Sequence, residues 1–163
     1  MCNSRLIPAL CTALLAATLH LNAFAADAVE VKSVAEQEVE VVENGRKVLK
    51  RVPVDKAVPG SEIIYTTSFR NMIGKPVGNI AITNPVPNDM VYQGGSARGA
   101  NTVITYSVDG GQQYASPDKL TVKTADGKTR PALASDYTHI RWTYKGDLGV
   151  GKSGEVSFRA VIK

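Results

Sequence analysis

The segment HIRWTYKGDLGVGKSGEVSFRAVIK, residues 139–163, holds two alternating runs that are joined by a glycine-rich loop. In the first run Ile140, Trp142 and Tyr144 share one side, and polar side chains take the other. In the second run the apolar positions again recur at every second residue, at Val156, Phe158, Ala160 and Ile162. A period of two is that of a β-strand with one buried and one solvent-facing side. The segment therefore predicts two antiparallel strands that each contribute one face to an apolar core.

The loop between these runs, GDLGVGKS at Gly146–Ser153, matches the phosphate-binding pattern G-x-x-x-x-G-K-S of nucleotide hydrolases. That pattern binds phosphate because a helix follows it and directs free N–H groups at the ligand. Here Gly154 follows at once and the period-two run begins, which predicts a strand instead of a helix. We therefore interpret the motif as a turn with Leu148 packed inward, and we expect neither nucleotide binding nor any cofactor.

Similar short runs recur upstream between turn residues. Alternating or apolar stretches occur at 61–71, 80–83, 90–92, 102–108 and 120–122, and turns rich in glycine, proline, asparagine and aspartate separate them. Within 61–71, the apolar face holds Ile63, Tyr65, Thr67 and Phe69. With the remaining runs this makes eight or nine short strands, each apolar on one side. Such strands form antiparallel sheets, and two of these sheets packed face to face make a β-sandwich.

Residues 26–54 predict a β-hairpin ahead of the sandwich. Asn44-Gly45 is a strong signal for a two-residue type I′ turn, because both central residues of that turn need a positive φ. Pairing about the turn places Val41 opposite Val48, Glu43 opposite Arg46 and Glu38 opposite Arg51. Cross-strand pairs of opposite charge stabilise a sheet by roughly 0.2–1 kcal/mol each. We therefore give a structural role, and not that of a ligand patch, to the basic side chains Arg46, Lys47, Lys50 and Arg51.

Residues 1–25 have the character of a secretory signal peptide. One cation, Arg5, precedes an apolar run over 6–19, and an A-x-A cleavage sequence lies at 23–25. The apolar run is too short to span a membrane, and no second long apolar run follows it. We therefore expect cleavage after Ala25, export to the periplasm or out of the cell, and no transmembrane segment.

Cysteine content and charge bound the function further. Both cysteines, Cys2 and Cys11, lie within the predicted signal, so the processed chain would hold no thiol for catalysis or for a zinc–thiolate site. Loss of Arg5 leaves 18 cationic and 15 anionic side chains, a net charge of +3. Because no long basic run accompanies this charge, we interpret it as a mixed solvated surface and expect no nucleic-acid binding.

Three segments, in this order along the chain, resemble one family. PGSEIIYTTSFRN at 59–71 is similar to an opening "PG-x-x-hydrophobic-x-Y…N", and ITNPVPNDMVYQGGS at 82–96 is similar to a strand end followed by "Y-x-x-G-S". Residues 140–163 are similar to a closing "W…L-x-x-G-x-S-G-x-V-x-F" hairpin. Together they resemble the bacterial conserved repeat domain known as domain of unknown function 11, an immunoglobulin-like module of cell-envelope proteins. The match covers about residues 55–163, in one copy, with Val150 where proline is usual.

The resemblance implies an immunoglobulin-like antiparallel β-sandwich at 55–163, preceded by the hairpin at 26–54 and the signal peptide at 1–25. The family has no known catalytic residues, so the resemblance implies a non-catalytic envelope module that is structural or binds a protein or envelope component. The alternatives are an accessory binder of carbohydrate or anionic polymer and, as a third class, an enzyme. We predict no catalytic, cofactor-binding or metal-binding residue.

The polar residues that could carry chemistry have structural explanations. His139 is the one histidine outside the predicted signal, and it lies on the polar face of its strand without a second histidine for a metal pair. Asp109, Asp118 and Asp126 lie in turns, where an aspartate side chain supports the turn itself. A calcium site would need six to eight converging oxygens, so these aspartates do not by themselves indicate one.

The aromatic side chains divide into two groups. Trp142, Tyr144 and Tyr65 fall on faces that we predict to be inward, where large aromatic side chains pack in the core. Tyr114 and Tyr137 lie beside loops and are the better candidates for exposed contacts with a ligand.

Overall fold

The computed structural model describes residues 28–163. The predicted signal peptide, with Arg5, both cysteines and the cleavage after Ala25, lies outside the described residues. Within 28–163 the chain forms eleven strands and two short 3-10 turns, Pro117–Lys119 and Ala134–Asp136, without an α-helix. The strands are β1 (Val29–Glu43), β2 (Arg46–Pro53), β3 (Glu62–Asn71), β4 (Ala81–Pro85), β5 (Met90–Tyr92), β6 (Arg98–Gly99), β7 (Thr102–Ser107), β8 (Thr121–Lys123), β9 (Thr129–Pro131), β10 (His139–Tyr144) and β11 (Ser153–Ile162). The all-β prediction is confirmed.

Nine of the eleven strands form two antiparallel sheets, of six and three strands. Sheet A has the order β2-β1-β3-β11-β5, and β6 also pairs with β11. Sheet B has the order β4-β10-β7, and β8 and β9 pair separately. The predicted antiparallel β-sandwich is confirmed. The strands that the sequence did not predict, β6 and β9, are two and three residues long, which is too short to show alternation.

The core lies between the inner faces of the two sheets. Trp142 of β10 is fully buried, and its ring lies 6.2 Å from that of Phe158 on β11. The rings of Phe69 on β3 and Tyr144 on β10 pack nearly perpendicular to each other, with 5.8 Å between their centres. These contacts join sheet A to sheet B, so the inward faces predicted for the last two long strands are confirmed. Full burial of an aromatic or aliphatic side chain of this kind contributes about 1.5–3 kcal/mol.

β1 is long because it pairs with two strands, β3 and then β2, along its length. Its first half, residues 29–36, pairs with β3, and its second half, residues 36–43, pairs with β2. Beyond residue 36 the hairpin therefore projects past the end of β3 as a two-stranded ribbon, and Val42 and Leu49 are each 70% exposed. β1 thus pairs both with β2 in the hairpin and with β3 in the sandwich. The division of the chain into a hairpin at 26–54 and a sandwich at 55–163 stays a prediction.

The turn and register of the hairpin agree with the sequence prediction. Asn44 and Gly45 have φ values of 52° and 75°, and Val41 lies opposite Val48. The acidic and basic strands also form ion pairs, which join Lys47 to Glu40 at 2.7 Å, Lys50 to Glu43 at 2.8 Å and Arg51 to Glu38 at 3.5 Å. The basic side chains Lys47, Lys50 and Arg51 thus have the structural role that we predicted. Arg46 lies opposite Glu43 as predicted, but within residues 28–163 the ion pair of Glu43 is with Lys50. Exposed pairs of this kind contribute about 0–1 kcal/mol each.

Candidate functional site

The motif at 146–153 connects β10 to β11. Leu148 is buried and exchanges two backbone hydrogen bonds with Val77, of 2.8 and 3.0 Å. The Lys152 N–H donates to the Gly149 carbonyl at 3.0 Å, which closes the turn. Ser153 then begins β11, so a strand and not a helix follows the motif. The predicted turn and the inward position of Leu148 are confirmed.

His139 and Asp109 each form hydrogen bonds with residues close to them in sequence. The His139 ring is half-buried, and its Nδ1 lies 3.2 Å from Thr138 Oγ1. Asp109 accepts a hydrogen bond of 2.7 Å from the Ser107 hydroxyl and bonds of 3.0 Å from the N–H groups of residues 112 and 113. These bonds, that of Ser107 above all, hold the pKa of Asp109 below its ordinary value. The carboxylate therefore closes the turn after β7.

The other two turn aspartates are also bonded within their own turns. The Ser116 hydroxyl holds the pKa of Asp118 below its ordinary value, and the Thr124 hydroxyl does the same for Asp126. Asp126 also forms an ion pair of 2.9 Å with Lys128. Across residues 28–163, no three His, Cys, Asp or Glu side chains gather where they could hold a metal ion. The structure thus does not bring the three aspartates together.

Tyr137 corrects one sequence-based expectation. We expected it to be exposed beside a loop, but it is 8% exposed and stacks on Tyr106 at 4.5 Å, with Tyr92 at 5.9 Å. The 3-10 turn at Ala134–Asp136 precedes Tyr137 directly. The Tyr137 ring belongs to a cluster of three tyrosines between the sheets. The residues around Tyr137 in the sequence do not indicate that it is buried.

Tyr114 remains partly exposed, but it already has a partner. The Arg141 guanidinium lies 3.5 Å from the centre of the Tyr114 ring, a cation–π contact. Tyr65 stacks on Phe158 at 5.0 Å and faces the core, as predicted. The aromatic side chains therefore do not form an exposed platform among the described residues.

The feature best suited to a partner is a trough between β1 and β4. Sheet A is wider than sheet B, so the inner face of β1 is left partly uncovered, and Val31 on that face is 51% exposed. Two successive cavities of about 200 and 260 Å³ follow this gap. Their walls come from the 29–33 part of β1, from Tyr65, Thr67 and Phe158, and from residues 77–87. None of the residues that line them is charged.

One wall of the trough is the free backbone edge of β4. Among residues 28–163 this strand pairs with β10 alone. Next to its two ends, the Tyr144 N–H donates to the Ile80 carbonyl at 2.9 Å and the Val86 N–H donates to the Thr138 carbonyl at 2.8 Å. Successive residues of a strand direct their backbone groups to opposite sides. Ala81 and Thr83 therefore direct both N–H and C=O groups to the free edge, and their side chains are exposed.

The floor of the trough carries a short polar link between the sheets. Asn84 Nδ2 on β4 donates to Thr67 Oγ1 at 2.9 Å, and that hydroxyl lies 2.8 Å from Ser33 Oγ on β1. Thr67 is 1% exposed, so the link is buried at its centre. All three residues line the cavity next to Phe158, and none of them lines the cavity next to Val31. An occupant of the trough would thus meet an apolar cavity next to Val31 and a cavity with hydroxyl and amide groups next to Phe158.

Within residues 28–163, two other sheet edges carry protection that β4 lacks. β2 carries four cations at its edge of sheet A, and such charges discourage pairing with another chain. Tyr106 on β7 exchanges two backbone hydrogen bonds with Ala115, of 2.9 and 3.0 Å, so part of that edge is covered. β4 has only Pro85 as a blocking residue, at its end. The edge at Ala81 and Thr83 is therefore open to an added strand.

Comparison with protein families and with curated proteins identifies no relative of the chain. No family model matches the chain, and no curated protein matches it. Within the described residues, no helix is long and apolar enough to cross a membrane. The sequence analysis did not predict the trough. The one signal for it in the sequence is the apolar residue Val31, which lies between polar residues on β1.

Proposed function

We propose that the chain is an exported, non-catalytic module of the cell envelope that binds a protein partner by strand addition at β4. The observation that carries this proposal is the open edge at Ala81 and Thr83 beside an uncharged apolar trough. In strand addition, backbone hydrogen bonds supply affinity and pockets for alternate side chains supply specificity. The trough offers both features side by side.

The chemistry of the trough defines the partner segment. A strand of about five or six residues spans about 17–20 Å, which suits an edge as short as β4. Its backbone would pair with Ala81 and Thr83, and every second side chain would enter the trough and cover Val31. Because no charged residue lines the trough, those side chains are apolar or small. The partner is thus an extended, uncharged polypeptide segment.

The non-catalytic part of the proposal has separate support. Catalysis by a side-chain nucleophile needs a base within hydrogen-bond reach and a third group that orients the base. His139 bonds to Thr138, and the three turn aspartates bond to their own turns. The motif at 146–153 leads into a strand, which lacks the helix N-terminus that phosphate binding requires.

Export is proposed from residues 1–25, whose composition is that of a secretory signal. N-terminal sequencing of the protein recovered outside the cytoplasm should give Ala26, or Asp27 if cleavage occurs one residue later. A mature protein that begins at a lipidated Cys11 would contradict this part of the proposal.

The strand-addition proposal is tested by photo-cross-linking in cells. A photoreactive amino acid at Ala81 should cross-link to one partner segment, and the same amino acid at exposed Lys128 should not. Thr83→Pro removes an edge N–H and the bond of 3.2 Å that Arg141 donates to the Thr83 hydroxyl, but it keeps the backbone hydrogen bonds between β4 and β10. It should lower the cross-link yield at least tenfold, and Thr83→Val, which loses only the Arg141 bond, should not. Unfolding of the Thr83→Pro protein should stay close to that of the wild type.

Amide hydrogen exchange provides the second readout. A synthetic peptide of the cross-linked partner segment should slow exchange at Ala81 and Thr83, because strand pairing protects edge amides. An undiminished cross-link in Thr83→Pro, or a bound peptide that leaves both amides unprotected, would contradict strand addition.

A further inference from the structure

A second site lies on the opposite, outer face of sheet A. Ser157 and Arg159 alternate along β11 with the inward residues 156, 158 and 160, so their side chains face outward. With the Gln93–Ser96 loop and Arg98 they line a groove of about 490 Å³, over the buried Ile64 and next to Arg51. We call this cavity the arginine groove. Its volume falls within the range of about 300–1,000 Å³ typical of small-molecule sites.

Arg159 is held in place by two carboxylates, those of Glu38 and Glu62. Its two terminal nitrogens bond to the two Glu38 carboxylate oxygens at 3.0 and 3.1 Å, and one of them also bonds to Glu62. Arg51 approaches Glu38 as well, at 3.5 Å. Neither carboxylate is part of the groove wall. The acids therefore orient the guanidinium groups without lining the groove themselves.

Arg98 lines the other side of the groove without an acidic partner. One of its terminal nitrogens donates to the carbonyls of Gly95 and Ala97, at 2.6 and 2.9 Å, which fixes the side chain to the loop. Within residues 28–163, no carboxylate oxygen lies within 4 Å of the Arg98 guanidinium. Its second terminal nitrogen and Nε form no hydrogen bond within residues 28–163. The wall thus holds three guanidinium groups and no carboxylate.

We infer that the arginine groove binds an acidic saccharide, with a carboxylate or sulfate of the sugar on Arg98. Guanidinium groups bind such oxyanions through paired, charge-assisted hydrogen bonds. Gln93, Ser157 and the exposed backbone at Gly94-Gly95 supply polar groups for sugar hydroxyls. No aromatic ring lines the groove, so it lacks the aromatic platform on which proteins commonly stack nucleobases.

The test is calorimetric titration of the exported protein with a trimer of galacturonate at low salt. We expect measurable binding, and no binding of a neutral trisaccharide of the same length. Arg98→Gln should weaken galacturonate binding about tenfold, as expected for loss of a hydrogen bond to a charged group. Lys123→Gln removes the same charge from exposed β8 outside the groove and should change the affinity less than twofold.

Three results would overturn the inference. Equal binding of the neutral sugar would show that the anion is not recognised, and equal losses in Arg98→Gln and Lys123→Gln would indicate general charge attraction. Binding of inorganic sulfate or of a single-stranded oligonucleotide as tight as that of galacturonate, with the same dependence on Arg98, would exclude a saccharide site. Thr83→Pro should leave galacturonate binding unchanged, and Arg98→Gln should leave the Ala81 cross-link unchanged. These two controls distinguish failure of the saccharide site from failure of strand addition at the trough.

Discussion

At the scale of the residue, Glu38 connects the hairpin to the sandwich. Its carboxylate accepts two hydrogen bonds from Arg159 on β11 and lies 3.5 Å from Arg51 on β2. The Arg159 guanidinium, more than any other group, holds the pKa of Glu38 below its ordinary value of 4.5. One side chain therefore links three strands of sheet A, and its charge state affects how firmly the projecting ribbon is held.

Acid should loosen this link. A carboxyl whose pKa is depressed by folding contributes stability that is present above its unfolded pKa and is lost as the pH falls through its folded pKa. Protection of the hairpin amides against hydrogen exchange should therefore fall as the pH drops below about 4.5, the ordinary pKa of the group. Glu38→Gln should remove most of this pH dependence. An acid response that is identical in wild type and Glu38→Gln would contradict the role assigned to Glu38.

At the scale of the element, the hairpin turn depends on backbone conformation and not on space. A Cβ atom at Gly45 would meet no atom within 4 Å, but φ at this position is +75°. Gly45→Val should destabilise the turn by about 1–2 kcal/mol, because a β-branched residue resists positive φ. Gly45→Asn is the matched control, since asparagine tolerates this conformation, and it should be close to wild type. Amide exchange across Val41 and Val48 measures both, and equal protection in the two variants would contradict the turn assignment.

The loop between β10 and β11 should tolerate loss of its exposed lysine. Lys152 is exposed and follows a closed turn, so Lys152→Ala should change the free energy of unfolding by less than about 0.5 kcal/mol. Titration of ATP and magnesium should give no heat of binding with either protein. Lys123→Ala serves as a matched control for the loss of one surface charge. Micromolar ATP binding that Lys152→Ala abolishes would contradict our interpretation of the motif.

At the scale of the whole molecule, stability depends on contacts between the two sheets. Phe158 is 1% exposed and packs between Tyr65 at 5.0 Å and Trp142 at 6.2 Å. Phe158→Ala should lower the free energy of unfolding by about 3–5 kcal/mol, through lost burial and the cavity that remains. Phe158→Leu retains most of the volume and should cost clearly less. Urea unfolding tests both, and a loss below about 1 kcal/mol for Phe158→Ala would contradict the assigned core.

The sequence by itself determined the local features of this protein. Alternation with period two predicts strands and their inward faces, since a β-strand directs successive side chains to opposite sides. The Asn44-Gly45 turn and the opposed charges of its strands predict the hairpin register, because a two-residue turn determines which residues lie opposite each other. Gly154 and the alternation that follows it separate a strand connection from a phosphate loop.

Only the tertiary structure decided the order and width of the sheets, and with them both candidate sites. The trough needs Val31 of β1 beside Ala81 of β4, and the arginine groove needs Arg51, Arg98 and Arg159 on three different strands. Tyr137 is buried for the same reason, because its partners are distant in the chain. Local periodicity shows which side of a strand is buried. It does not show which strands become neighbours, because that choice depends on packing and hydrogen bonds between residues far apart in sequence.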